Sequence, residues 1–428
     1  MATASAGQVR GSGGEWQHGG VRAVRWLPDV ADVTWVTVGA MAANVAGYLL
    51  QLLAGRWLGA VGYSEFASLL AVQLLCAVPA LALQNVVARE LVRGASVSAA
   101  RGLAWRCAGV VTVLVVALIP VVSAVLHVGA SAAAGALVAA PAQVLVSGEQ
   151  GVLQGGRRFR ALATVLGGTG IVRVAPALLA LMLGAGPAVA LWATAFGLFM
   201  AALGAHRISS ATPIRGPGLA LPEIRMPGGA AVLRAAQVQA ALMALSSVDL
   251  IVARIVLSDA DAGRYALGAI ATKIAFWLPQ AVGVVLYPRM AQPRYSARAV
   301  RDALGVLLAV GIVAVLGAAV LAPVAPLFAG REYAPIEGWL WLFALDGALL
   351  ALLQGALLSA IAVDRTVPAA MTWVGLVVEV GAIALFARSL PALITTATVV
   401  VAVVTAAIIV VVLRAATRGA TVYRAESA

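Results

Sequence analysis

The chain has 428 residues, of which 62% are hydrophobic and only 11% charged, with a mean hydropathy of +1.00. An ordinary soluble domain is nearer ~25% charged, so the composition excludes a soluble globular protein and points to a multi-spanning membrane protein. The net charge of +12 comes from arginines dispersed between apolar runs. Nucleic-acid binding needs a clustered basic patch, so this pattern reads as membrane topology, with no nucleic-acid partner expected.

Residues 1–32 lack the continuous apolar core of a secretory signal and read as a disordered cytoplasmic tail, closed by Arg22, Arg25 and Trp26 at interfacial depth. A membrane helix needs ~20 mostly apolar residues. On that criterion the first half holds six spans, near 33–55, 66–86, 104–126, 130–153, 162–183 and 186–205. Residues 206–228 contain Pro213, Pro217, Pro222 and Pro227 and form a helix-breaking cytoplasmic linker. Six more spans follow near 229–256, 264–286, 301–322, 337–363, 367–387 and 391–413, before a tail at 414–428. The fold class is therefore all-α integral membrane: about twelve spans in two six-helix lobes, 33–205 and 229–413.

Arginine and lysine concentrate on cytoplasmic loops. With the N-terminus inside, the cytoplasmic loops and tails collect 22 arginines against five outside, Arg56, Arg254, Arg264, Arg331 and Arg388. Both termini are thus expected in the cytoplasm, and the two lobes in the same orientation. The halves also match in sequence. An offset of 199 or 200 sets Phe66 against Tyr265, Ala67 against Ala266, Pro79 against Pro279 and Arg89 against Arg289. Parallel repeats of this kind are a known transporter plan, with the substrate route at their interface.

Four stretches carry a family resemblance: LGAVGYSEFASL, LVSGEQGVLQGGRRFRAL, VDLIVARIVLSDADAGRYALGA with LPQAVGVVLYPRM, and LFAGREYAPIEGWLWL. Their order and spacing resemble the polysaccharide-biosynthesis flippases, the Wzx-like members of the multidrug/oligosaccharidyl-lipid/polysaccharide exporter superfamily, also called MATE-like. The resemblance covers nearly all of 33–413. It implies two lobes related by pseudo-two-fold symmetry around a central cavity. It also implies alternating-access translocation of a lipid-linked oligosaccharide or polysaccharide precursor across the cytoplasmic membrane, with membrane lipids and other glycan-assembly membrane proteins as partners.

Six ionisable residues lie within spans: Glu149, Arg173, Asp249, Lys273, Asp346 and Glu379. Each costs about 2.5–3.5 kcal/mol at a helix centre, so they must face protein or water. Arg173 and Lys273, the only lysine, are candidate cavity cations for an anionic lipid diphosphate or acidic sugar. The alternative is internal pairing, Arg173 with Glu149 and Lys273 with Asp249. Uncharged polar stripes run along the first span (Asn44, Tyr48, Gln51) and the fourth (Gln143, Ser147, Gln150, Gln154), and Gln280 follows Lys273 seven residues later. Such amides line a wet cavity or bond across packed helices. Gly148, Gly151 and Gly155 on another face of the fourth span read as close helix contact.

Members of the superfamily commonly hold H⁺ or Na⁺ at carboxylates, and by that resemblance Asp249, Glu379, Asp346 and Glu149 become coupling or pairing acids, with Thr395, Thr396 and Thr398 as oxygen ligands. Arg89 and Arg289, at matching repeat positions, are expected to flank the cytoplasmic mouth. No nucleophile triad, metal cluster or phosphate loop is visible, and His18, His127 and His206 are far apart in sequence. Cys76 and Cys107 read as small buried thiols. A membrane polymerase or ligase is therefore the weakest reading, behind a cation-coupled multidrug or metabolite exporter of the same fold.

Overall fold

Backbone amides in hydrocarbon must be satisfied within their own segment, which leaves helices or closed barrels as the spanning structures. The computed structural model describes residues 30–211, 237, 240–277, 296–361 and 367–426. Among them there are helices and no strands. In the first lobe these are α1 (Val30–Cys76), α2 (Val78–Val92), α3 (Val97–Leu126), α4 (Ala130–Gly155), α5 (Phe159–Met182) and α6 (Pro187–Ser210). In the second they are α7 (Val248–Val256), α8 (Asp259–Trp277), α9 (Ser296–Leu321), the short α10 (Ala325–Ala329), α11 (Leu340–Ile361), α12 (Val367–Phe386) and α13 (Leu390–Glu426). The tail before residue 30, the linker beyond Ala211, Gln280 and Arg289 lie outside the described residues.

Eight helical segments are long and apolar enough to cross a membrane, and the shorter Ala370–Phe386 is apolar too. The protein is a multi-pass membrane protein. One segment, Thr34–Val92, takes in both of the first two expected spans. A single helix of that length would be ~90 Å long at 1.5 Å per residue, about three times the hydrocarbon thickness. Gly59 resolves this: its backbone is left-handed (φ 66°), which glycine adopts without penalty. Residues 43–51 before it and 67–77 after it line the same cavity, so the two arms fold back on each other. A second break falls at Ala77, where Pro79 opens α2 because it lacks an N–H and its ring crowds the preceding turn.

The repeat is visible in the backbone. Gly59 plus 199 is Ser258, and Ser258 lies in the break between α7 and α8. The aligned pair Phe66 and Tyr265 are both fully buried, and Ala67 and Ala266 are both buried. Each lobe is built on a central helix: α4 packs on α2, α3 and α6, and α11 on α8, α9 and α13. The peripheral α3 and α9 carry most of their apolar surface outward, as lipid-facing helices do. The lobes meet chiefly where α1 lies against α8, which are the two repeated stretches themselves.

Gly148, Gly151 and Gly155 form the contact face expected of them. A Cβ at Gly151 would stand 2.7 Å from the Gln84 carbonyl oxygen, and one at Gly155 2.8 Å from that of Ala88, whereas Gly168 on α5 has nothing within 4 Å. Overpacking a tight contact costs roughly 1–3 kcal/mol. Gly151→Ala is therefore expected to lower the melting temperature in detergent, with Gly168→Ala as a near-neutral control. Equal melting of the two variants would show that α2 and α4 do not pack this closely.

Candidate functional site

Between the lobes lies a cavity of about 270 Å³. The first lobe contributes Asn44, Tyr48 and Gln51 from α1, Gln143 from α4 and Arg173 from α5; the second contributes Met243, Leu250, Lys273 and Trp277. The α1 stripe therefore faces the cavity as a unit. The α4 stripe divides: Gln143 lines the cavity, Gln150 and Ser147 are buried in the lobe, and Gln154 accepts a hydrogen bond from Gln84 Nε2 at 3.2 Å. The stripe splits because α4 is the central helix of its lobe, so its lower turns are enclosed by α2 and α3.

Arg173 is held on a helix wedged between α1 and α6. Its Cα lies beside Gly197, and its guanidinium passes over Gly47, where a Cβ would stand 3.4 Å from Nη2. Among the described residues no carboxylate lies within ion-pairing distance of it. Lys273 enters from the opposite wall. Its Nζ reaches Ser247 Oγ at 3.5 Å, and its carbonyl accepts a hydrogen bond from Tyr48 OH at 3.2 Å, which joins α1 and α8 across the cavity. Lys273 and Asp249 interact electrostatically but are not in ion-pair contact.

The acids sort by lobe. Glu149 belongs to an ion pair, with a different partner from the one anticipated. Arg101 Nε donates to it at 2.9 Å, His206 Nδ1 lies 2.8 Å away, and Ser209 Oγ donates at 2.5 Å. This network ties α3, α4 and α6 together at the end that the arginine count assigns to the cytoplasm, and separation in sequence had concealed His206 as a member of it.

In the second lobe, Asp249 (α7), Asp346 (α11) and Glu379 (α12) are buried and near enough to feel one another's charge. Tyr265 OH donates to Asp249 Oδ2 at 2.7 Å. Asp249 Oδ1, Asp346 Oδ1 and Glu379 Oε2 have no hydrogen-bond partner among the described residues. Three carboxylates in a low-dielectric interior must be protonated or paired, and Lys273 interacts electrostatically with one of them, Asp249. Thr395, Thr396 and Thr398 donate back to their own helix, to the carbonyls of Pro391, Ala392 and Ile394, and only Thr398 is buried.

Tyr265 was missed in the sequence, although a signal existed: the repeat sets it against Phe66, so the hydroxyl is what the second copy adds. Arg254 was missed as well, counted only as a loop arginine. Its side chain is 7% exposed; it pairs with Asp259 at 2.7 Å and crosses to the first lobe, donating to Ser64 Oγ at 2.9 Å and to the Leu126 carbonyl at 3.2 Å. Leu126 ends α3, where exposed carbonyls favour a cation. Nearby, Arg56 donates to the carbonyls of Leu327 and Phe328, and Tyr333 OH to that of Gly55. These interlobe bonds gather at the end that the arginine count assigns to the outside, and they seal it. Arg89, near the C-terminal end of α2, is largely exposed and pairs with Glu90 at 3.1 Å.

No family model matches the sequence, and no curated protein matches it. Solved structures do match in fold. The lipid II flippase MurJ in an inward closed conformation aligns with a TM-score of 0.69 at 10% identity, covering 90% of both chains. An inward-facing multidrug resistance MATE family transporter of the MOP superfamily aligns at 0.65 and 13% identity, covering 93% of this chain and 100% of that one. A MOP superfamily transporter from Pyrococcus furiosus, described as having a binding pocket of reverse polarity, aligns at 0.56 and 12% identity over 91% and 96% of the two chains. The fold is thus the two-lobed architecture of these membrane transporters.

The outer seal is directly testable. Each hydrogen bond to a charged group contributes about 1.5–3 kcal/mol, and 1.4 kcal/mol is about tenfold in a closed-to-open ratio. In a background with Cys76 and Cys107 replaced by Ser, Arg254→Ala is expected to raise labelling of Gln51→Cys by an impermeant thiol reagent added outside by about tenfold. Unchanged labelling would mean that Arg254 does not hold the lobes together.

Proposed function

We propose that the protein is an alternating-access transporter that moves an anionic lipid-linked oligosaccharide or polysaccharide precursor from the inner to the outer leaflet of the cytoplasmic membrane. One observation carries this reading. Arg173 from the first lobe and Lys273 from the second line the same cavity, and neither is in ion-pair contact with an acid among the described residues. A cation in low dielectric attracts an anion far more strongly than one in water, so a diphosphate or acidic sugar between these groups would neutralise both. The amides of Asn44, Gln51 and Gln143 supply donors and acceptors for sugar hydroxyls. Because one cation sits on each lobe, an anion between them couples substrate occupancy to the rocking of the lobes.

Coupling to Na⁺ or H⁺ belongs to the same reading. Asp249, Asp346 and Glu379, on three helices, are the residues it would use, since each is buried with an oxygen that has no hydrogen-bond partner among the described residues. The drug-exporter reading calls for acids and aromatics in the cavity. Here the acid cluster is buried behind it, and of Trp192, Phe196, Trp277 and Trp373 only Trp277 lines it; the other three are exposed on the outer surface. The MOP superfamily transporter with a pocket of reverse polarity supports the view that this fold tolerates pockets of either sign.

In a deletion strain, surface glycan is expected to be lost while lipid-linked precursor accumulates inside. Each charge-assisted contact is worth about 1.5–3 kcal/mol, so Arg173→Gln and Lys273→Gln should each lower translocation by about ten- to a hundredfold in complementation. Gln154→Ala, which removes only the amide bond to Gln84, should complement. Intact glycan together with new sensitivity to cationic dyes would instead identify a drug exporter.

A further inference from the structure

We propose that the cavity contains a pyranose subsite, in which the apolar face of one sugar ring stacks on Trp277 while its hydroxyls turn to the amides of the first lobe. The proposal rests on the anion reading above and adds to it what recognises the sugar attached to the phosphate.

The cavity has two unlike walls. Its uncharged hydrogen-bonding groups come from the first lobe: the amides of Asn44, Gln51, Gln73 and Gln143, with the hydroxyls of Tyr48 and Thr194. Tyr48 already donates to the Lys273 carbonyl, and Thr194 to the carbonyl of Ala190 on its own helix. The four amides have no hydrogen-bond partner among the described residues, whereas Gln84 and Gln154, outside the cavity, bond to each other. Amides that line a cavity inside a membrane protein need partners, and a ligand with several hydroxyls supplies them. The second-lobe wall, made of Met243, Leu250, Lys273 and Trp277, carries no amide.

Trp277 takes its place on that wall through the helix that bears it. It follows Lys273 by four residues on α8, so the two side chains leave one face of the helix about 6 Å apart along its axis. The buried Phe276 meets the indole edge-on, with ring centroids 5.1 Å apart and planes at 68°. An indole held in this way loses little further side-chain freedom when a ligand covers it.

A pyranose has two unlike sides as well: its ring C–H groups form an apolar face, and its hydroxyls project from the edge. Such C–H groups rest favourably on the negative face of an aromatic ring. Between these walls the ring covers the indole and offers its hydroxyls to the amides opposite. A phosphate on its anomeric carbon then lies about one helical turn along α8, at the Lys273 ammonium. The volume of about 270 Å³, just under the ~300–1,000 Å³ of common small-molecule pockets, leaves room for one ring with its phosphates. A cationic aromatic drug would also stack on an indole, but here it would meet the charge of Lys273 beside it.

The test uses the full chain in detergent and two probes of equal charge, geranyl diphosphate esterified at its free end with glucose or with a methyl group, with affinities measured calorimetrically. The ratio of the two affinities separates the sugar from the anion. Wild type is expected to bind the glucosyl probe about tenfold more tightly than the methyl probe. Trp277→Leu, which keeps apolar bulk without an aromatic face, should bring the ratio close to one, while Trp277→Phe retains most of it. Lys273→Gln should weaken both probes and leave the ratio standing, which general damage to the cavity would not do. A Trp277→Leu protein that melts like wild type and keeps the full ratio would overturn the stacking, as would wild type that binds both probes equally; the anion reading would survive either result. Wild type that binds neither probe would overturn both.

Discussion

A charge inside a membrane protein has to be neutralised by something, and most of what is particular about this chain follows from where that requirement is met by a direct ion pair and where it is not. In the first lobe it is met internally. Glu149, on the central helix α4, is bound by Arg101, His206 and Ser209 and serves to clamp three helices. In the second lobe the corresponding central helix, α11, carries Asp346, which shares its surroundings with two further acids and has an oxygen without a hydrogen-bond partner among the described residues. Removing one member of a buried pair strands the other at a cost of several kcal/mol. An arrangement that leaves carboxylates and cations short of contact partners is therefore one that binding ions can complete.

The same duplication that makes the lobes alike in fold makes their difference informative. Both copies of the repeated stretch break at matching positions, Gly59 and Ser258, and both bury an aromatic ring at the equivalent site, Phe66 and Tyr265. The second copy adds a hydroxyl to the ring, an acid upstream of it and a lysine downstream. The two copies also form the interface, α1 against α8. The ionisable additions thus sit in the copy that touches the other lobe. At the end that the arginine count assigns to the outside, that contact is made by Arg254, Arg56 and Tyr333 bonding to the opposite lobe.

Fold class, lobes and repeat were legible in the sequence because they depend on apolar length and helical periodicity, which are local properties; periodicity also set Asn44, Tyr48 and Gln51 on one face of α1, and that face lines the cavity. Partner choice was not. Glu149 pairs with Arg101 and His206, residues 48 and 57 positions away on other helices, and no local pattern signals such contacts. The α4 stripe misled for a related reason: helical spacing sets which residues share a face, but not what that face packs against, so Gln154 met Gln84 instead of the cavity. The break in the seventh span at Ser246–Ser247 was hidden too, since two serines in an apolar run carry no helix-breaking signal as strong as proline. The identification of Arg173 and Lys273 as cavity residues rested on the cost of burying charge, a constraint that holds whatever the tertiary contacts are.

The central claim is that the two cations on opposite lobes hold one anion between them. It is tested most directly by an electron cryomicroscopy structure of the chain in lipid nanodiscs with a lipid-linked diphosphate. The account predicts phosphate density bridging the Arg173 guanidinium and Lys273 Nζ, with the acid cluster facing away from it. Phosphate density elsewhere, with Lys273 in direct contact with Asp249 and Arg173 paired to an acid, would contradict it.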